Sequence, residues 1–152
     1  MFNIVLLAPE YPGNVGNIGR TCVLTKSRLH LVRPFKFDLS DKSLKKAGID
    51  YWDKVDLTIH DSIEEFLEFI KDKNFYLVET GTDKVYSDVE FKDGDYLIFG
   101  REREGIDNDI LDRYYQKIIT IPMTKEIDRS LNLANSVSIV LYEALRQNKF
   151  NF

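Results

Sequence analysis

Two glycine-rich runs and one polar loop hold the residue types that can grip an anion or cradle a cofactor. The first run is Gly13-Asn14-Val15-Gly16-Asn17-Ile18-Gly19-Arg20-Thr21. Read as a turn after an apolar strand at residues 3–8 and before a helix at residues 18–24, it would offer backbone amides to an anion, since a helix N-terminus has unpaired N–H groups. Its G-x-x-G-x-x-G spacing is not the G-x-G-x-x-G of dinucleotide binders. The second strand, residues 29–32, ends in Arg33 where an acidic ribose ligand would stand, and no Lys-Ser/Thr closes the run as in a P-loop. Arg20 therefore reads as a grip for a phosphate of a larger ligand. The second run, Gly100-Arg101-Glu102-Arg103-Glu104-Gly105, follows an apolar strand at once. In the third stretch, residues 121–147, Pro122 ends a strand and a loop whose one apolar residue is Ile127 follows Met123. Ser130 or Asn132 can then cap the next helix.

These groups need a scaffold, and the hydrophobic pattern supplies one. Leu133, Val137, Val140, Leu141 and Ala144 make the stripe of a core-facing helix, with Asn135, Ser136, Tyr142, Glu143 and Arg146 on its other side. Apolar runs predict strands at residues 3–8, 29–32, 55–59, 75–78, 96–99 and 118–121. Asp61-Ser62-Ile63-Glu64 has the spacing of a capping box, and Ile63, Phe66, Leu67 and Ile70 the stripe of the helix it starts. A short basic helix is expected at residues 41–47, stopped by Gly48. Residues 84–91 stay ambiguous. Tyr51 and Trp52, beside the basic run, suit either base stacking or closure of the core. Strands alternating with helices predict an α/β fold with a mostly parallel sheet flanked by helices, whose polar loops at Thr80, Gly100 and Pro122 can share one edge.

Composition bounds the function. The chain has 152 residues, 43% hydrophobic and 30% charged, which suits a single domain, residues 1–152, with a full core. No apolar run approaches the ~20 residues that span a bilayer, and no basic leader precedes residue 4, so a soluble cytoplasmic protein without a membrane partner is expected. One cysteine, Cys22, and two histidines, His30 and His60, leave too few ligands for a typical zinc site, so no metal is expected. The net charge of −4 is unevenly spread: residues 20–46 carry eight cations against two carboxylates, a net +6, leaving −10 for the rest. Such a segment can neutralise phosphates, or it can be a solvated surface.

Taken in order, three segments resemble the SPOUT superfamily of RNA methyltransferases, and within it the TrmL group, which methylates the ribose 2′-hydroxyl of the tRNA wobble nucleotide, a cytidine or modified uridine. They are Asn14 through Thr21, Leu97-Ile98-Phe99-Gly100 through Ile106, and Ile121-Pro122-Met123 through Arg129-Ser130-Leu131-Asn132-Leu133 to Gln147. The likeness covers essentially the whole chain. Arg101 stands where the family often has proline, with Gly100, Glu102 and Gly105 in place.

The resemblance implies a SPOUT fold with a C-terminal trefoil knot, a homodimer and an S-adenosylmethionine pocket that releases S-adenosylhomocysteine. Carried over, the cofactor would meet Leu77, Val78, Thr80, Gly81, Gly100, Glu102, Gly105, Ile121, Met123, Ser130 and Leu131. The catalytic set would be Arg20, Asn14, Ser130 and Asn132, with Asn14 orienting Arg20. The tRNA anticodon region would meet Arg20, Arg28, Arg33, Lys45, Lys46, Arg129, Tyr142 and Arg146, although the Tyr142 hydroxyl would also suit the core. A protonated guanidinium has no acceptor lone pair, so Arg20 is expected to hold a phosphate and stabilise developing alkoxide rather than remove a proton. The alternatives are an rRNA ribose methyltransferase and a non-enzymatic RNA-binding module on the same fold.

Overall fold

The computed structural model describes residues 1–40, 42 and 49–152. The basic helix expected at residues 41–47, and with it Lys45 and Lys46, lies outside the described residues. In chain order the elements are β1 (Asn3–Leu7), α1 (Pro12–Thr25), β2 (Arg28–Val32), β3 (Leu57–His60), α2 (Ile63–Ile70), β4 (Phe75–Val78), β5 (Tyr96–Phe99), α3 (Asn108–Arg113), β6 (Ile118–Ile119) and α4 (Leu133–Gln147). The strands form one six-stranded sheet in the order β3-β2-β1-β5-β4-β6, with every neighbouring pair parallel.

Strand alternation divides the core between the two faces of the sheet. Ile4 and Leu6 of β1, with Leu97 and Phe99 of β5, meet Val15 and Ile18 of α1 and Val137, Val140 and Leu141 of α4. Val5, Leu7 and Ile98 point the other way, onto Phe66 and Ile70 of α2 and Ile110 of α3. Both faces being covered, β1 and β5 are apolar nearly throughout, as central parallel strands are.

Several local expectations are corrected. The first glycine run is not a turn: α1 begins at Pro12, whose missing N–H costs nothing at a first helical turn. Gly16 and Gly19 lie inside α1 and admit a neighbouring segment. A Cβ on Gly16 would run into the Ile49 side chain, and one on Gly19 would lie 2.8 Å from the Trp52 ring. Trp52 is 7% exposed and closes the core, while the Tyr51 hydroxyl donates to the Gly16 carbonyl at 2.6 Å. Ala8 leaves β1 with φ of 49°, where the chain turns toward Pro9. The cap of α2 is Ser62, not Asp61, because Ser62 Oγ accepts from Glu65 N at 3.0 Å. Strand β3 starts two residues late, and β6 pairs only through Ile119 before Thr120 bridges Val85. Residues 84–91 contain a single 3₁₀ turn, Tyr86–Asp88.

A buried polar pair sits inside this sheet. His30 and His60 are 4% and 6% exposed. Asn3 Nδ2 donates to the Gly94 carbonyl at 3.0 Å, so Asn3 Oδ1 must accept from His30 Nε2–H at 3.1 Å. His30 Nδ1 is then the acceptor for His60 Nε2–H at 3.0 Å, so the His30 ring is neutral. Burial foremost, then the charges of His60 and Arg28, push the His30 pKa down to about 4. The unfolded chain therefore binds a proton that the folded chain refuses. Stability is fully present above pH ~6.5 and falls as pH drops through 4, by roughly 3 kcal/mol from His30. Urea unfolding at pH 7.5 and pH 4 measures this, and equal stabilities would refute the neutral His30.

Candidate active site

Because β5, β4 and β6 are adjacent and parallel, the loops leaving their C-terminal ends open on one edge of the sheet. The start of α4 completes a cleft of about 240 Å³ there. Val78, Glu79 and Thr80 come from the end of β4. Phe99 and residues 100–105 follow from β5, and Thr120, Ile121 and Met123 from the stretch after β6. Ser130, Leu131, Leu133 and Ser136 close the far wall.

The loop after β5 is a tight hairpin. Arg101 N donates to Gly105 O at 3.1 Å and Gly105 N to Arg101 O at 2.9 Å. A Cβ on Gly100 would collide with the Gly105–Ile106 peptide, so the glycine first serves the folding of its own loop. Gly105 has φ of 69°, and a Cβ there would overlap the Glu79 carboxylate. That carboxylate accepts from Ile106 N at 2.8 Å and Thr80 N at 2.9 Å, clasping the β4 and β5 loops together. Nothing in the sequence marked Glu79 beyond its being a carboxylate at a strand end just before Thr80 and Gly81.

One side-chain chain joins the three distant segments. Glu102 accepts from Glu10 N at 2.8 Å, Tyr11 N at 3.2 Å and Asn14 Nδ2 at 3.3 Å, placing a carboxylate on the N-terminus of α1. Asn14 Oδ1 accepts from Asn132 Nδ2 at 3.1 Å, and Asn132 Oδ1 accepts from Ala134 N at 2.8 Å and Asn135 N at 3.3 Å, capping α4. Both amide orientations follow: a carboxylate only accepts and a backbone N–H only donates, so each end of the chain fixes the next group. Asn132, rather than Ser130, is thus the cap. Asn14 links Glu102 to Asn132 and is not hydrogen-bonded to Arg20. Asn132→Ala should lower stability by about 0.5–2 kcal/mol through the lost cap. Asn132→Asp should restore the cap yet not the rate of the reaction, because its second carboxylate oxygen would face Asn14 Oδ1. Urea midpoints set against initial rates separate the two effects, and equal recovery of both would mean the tie matters only as a cap.

The wall after β6 has the open chemistry of a cofactor site. Ile121 is 9% exposed. Yet the backbone groups of Ile121 and Met123, and the Ser130 hydroxyl, have no hydrogen-bond partner among the described residues. Ile121 is buried, Met123 half-buried and Ser130 exposed, so these groups stand open on the wall of the cleft. With Phe99, Leu131 and Leu133 beside them, the donor set fits a flat heteroaromatic base with a polar edge.

Other expected site residues fall elsewhere. Leu77 is 1% exposed in the core, and Gly81 does not line the cleft. Arg20 is exposed on α1, outside the cleft. Arg28 begins β2, at the opposite edge of the sheet, and pairs with Asp56 at 3.2 Å. Arg33 leaves β2 at the cleft edge but two strands beyond β5, with its guanidinium 4.6 Å from the Phe35 ring centre. Arg129 is exposed in the loop before α4. Tyr142 is 45% exposed, so its hydroxyl is not a core group. Arg146 holds Glu143 through Nε at 2.8 Å and Nη2 at 2.9 Å and, with Gln147, keeps that carboxyl down at about 2. The cleft thus gathers Val78, Thr80, Gly100, Glu102, Gly105, Ile121, Met123, Ser130 and Leu131, and adds Glu79, Phe99, Arg103, Thr120, Leu133 and Ser136.

A parallel sheet with a ligand-ready cleft over its last three strands defines the class, and the chain belongs to the SpoU rRNA Methylase family, whose model matches residues 1–142. Proteins of this family are S-adenosylmethionine-dependent RNA 2′-O-methyltransferases. Among particular proteins, the tRNA (cytidine(34)-2′-O)-methyltransferase of Methylovorus glucosotrophus is 40% identical over 151 residues, 99% of this chain and 97% of that one. A solved structure concerned with 2-OH methylation of C/U34 on tRNA is 41% identical, with a TM-score of 0.88 over 98% of this chain and 97% of its own. The SpoU methyltransferase AviRb from Streptomyces viridochromogenes, solved in complex with AdoMet, shares the fold at 22% identity and a TM-score of 0.78, covering 97% of this chain and 60% of that one.

Proposed function

We propose that the protein transfers a methyl group from S-adenosylmethionine to the ribose 2′-hydroxyl of the wobble nucleotide of tRNA, a cytidine or modified uridine at position 34. The observation that carries this reading is the Glu102–Asn14–Asn132 chain. It locks the three segments of the family likeness around one cleft whose Ile121 and Met123 backbone groups are open to a ligand. Relatives about 40% identical over nearly the whole chain bear the same activity in their names.

When bound, the cofactor supplies an electrophilic methyl on a positively charged sulfur. Ile121 and Met123 would read the adenine edge through their main chain, and Leu131 and Phe99 would cover its faces. Ser130 would hold a ribose hydroxyl. Arg20 would fix a phosphate of the RNA and stabilise negative charge growing on the 2′-oxygen as its proton passes to water and the sulfur departs as S-adenosylhomocysteine. Alignment does most of the work, since a well-oriented pair can gain roughly 7–11 kcal/mol over free encounter.

Arg20 lies off the cleft of its own chain, so the reading includes a homodimer in which a second copy brings that residue to the cleft. The exposed Leu24 on α1, at 65%, and Tyr142 on α4, at 45%, are apolar surface that such a contact would cover. The reading also includes a C-terminal trefoil knot. Its support is that α4 packs chiefly on α1, with a further contact to β5, rather than mainly on the β6 strand it follows. No helix among the described residues is long and apolar enough to cross a membrane, and a tRNA substrate would place the protein in the cytoplasm.

The test is incubation of purified protein with methyl-labelled S-adenosylmethionine and, separately, bulk tRNA and rRNA, followed by mapping of the label. Label at the 2′-oxygen of nucleotide 34 is expected. Label in rRNA alone would make the family's ribosomal description the right one here, and no label in either RNA would leave an RNA-binding module.

A further inference from the structure

Arg103 stands at the mouth of the cleft, on the hairpin after β5, with its side chain 74% exposed. A long exposed side chain ordinarily samples many rotamers, but this one is held. Its Nε donates to the Tyr11 hydroxyl at 2.7 Å, and its guanidinium lies 5.7 Å from the centre of the Tyr11 ring. Tyr11 in turn is fixed by Glu102, which accepts from its backbone N–H. The two neighbouring acids are engaged within the same loops. Glu10 accepts from Arg103 N at 3.4 Å and reaches Arg103 Nε only at 4.0 Å, and Glu104 pairs with Arg101 at 3.2 Å.

What remains free is the fork. Both Nη groups of Arg103 have no hydrogen-bond partner among the described residues, whereas Arg101 and Arg146 have theirs on carboxylates. A guanidinium pinned through Nε, on an exposed side chain with both Nη groups unpaired, is pre-organised for two-pronged binding of a phosphate, since little freedom is left to lose.

We propose that Arg103, steadied by Tyr11, binds a backbone phosphate of the RNA next to the nucleotide that enters the cleft. This inference rests on the methyltransferase reading and adds to it a substrate-binding residue that composition and spacing did not single out. Arg103 would thereby set the depth at which the target ribose meets the cofactor.

Steady-state methylation of tRNA by the full-length protein, measured against salt concentration, tests it. Arg103→Ala should raise the KM for tRNA about tenfold or more, as loss of a charged hydrogen-bonded contact does, with cofactor affinity unchanged. The slope of log KM against log salt should fall by about 0.7, the value for one phosphate contact on single-stranded nucleic acid. Arg103→Lys should keep the slope but recover only part of the KM, and Tyr11→Phe should keep the slope with an intermediate KM. A wild-type KM and slope in Arg103→Ala would overturn the inference, as would a loss confined to cofactor affinity. Absence of methylation by the unaltered protein would instead refute the reading beneath it.

Discussion

Arg20→Ala is expected to reduce methyl transfer to tRNA about 100- to 1,000-fold, the loss usual when one group that stabilises transition-state charge is removed, while the Kd for S-adenosylmethionine stays within about twofold. The asymmetry follows from position. Arg20 is exposed on α1 and does not line the cleft, and its side chain makes no hydrogen bond or ion pair among the described residues. Its charge is felt at Tyr51, where it opposes the stronger effect of burial on that phenol. Because the Arg20 side chain is exposed, stability should change by no more than about 0.5 kcal/mol, the usual range for a surface substitution. Equal unfolding midpoints would show that a drop in rate is chemical. Arg20→Lys should recover little, because a point charge cannot reproduce the planar fork. Cofactor titration by calorimetry decides the assignment: if affinity falls in step with turnover, Arg20 belongs to the cofactor wall and the proposed role is wrong.

Gly100→Ala should weaken cofactor binding about 10- to 100-fold, the equivalent of the 1–3 kcal/mol that overpacking costs. The added methyl would collide with the Gly105–Ile106 peptide and lie 2.7 Å from Gly105 O. Backbone cannot step aside as a flexible side chain can, so the hairpin must open. Opening it pulls Ile106 from Glu79 and shifts Glu102 from the start of α1. Gly13→Ala is the matched control. A Cβ there meets nothing within 4 Å, and inside a helix the exchange should stabilise by roughly 0.5–1 kcal/mol. Wild-type cofactor affinity in Gly100→Ala would mean that this hairpin does not form the pocket wall.

Much of the fold was legible because it rests on local signals. The helix α4 begins at the Leu133 from which its apolar stripe was counted, and strands β4 and β5 match their apolar runs. Failures came where a distant segment outweighed local propensity. Glycines at 13, 16 and 19 argue for a turn, yet α1 runs through them, and Ile49 and Trp52 fill the space that the missing side chains of Gly16 and Gly19 leave. The cap of α2 moved from Asp61 to Ser62, a one-residue shift that spacing alone cannot resolve when two capping residues are adjacent. Tyr51 and Trp52 had two readings. The buried one holds for Trp52, which lies against Gly19.

The candidate site divides along the same line. The residue types of three short segments can be read directly from the chain, and because two of those segments follow strand ends in a parallel sheet, so can their opening on one edge. What those residues do to one another depends on contacts made by the folded chain. Asn14 lies 88 positions from Glu102 and 118 from Asn132, and hydrogen bonds act over about 3 Å, so no spacing rule could reveal that Asn14 bridges them. Glu102 lines the cleft, where the family likeness puts a cofactor contact, and its oxygens also hold the start of α1. Glu79 and Arg103 drew no notice as letters in a sequence. Folding gives the first a clasp between two loops and the second a steadied, open fork at the mouth of the cleft.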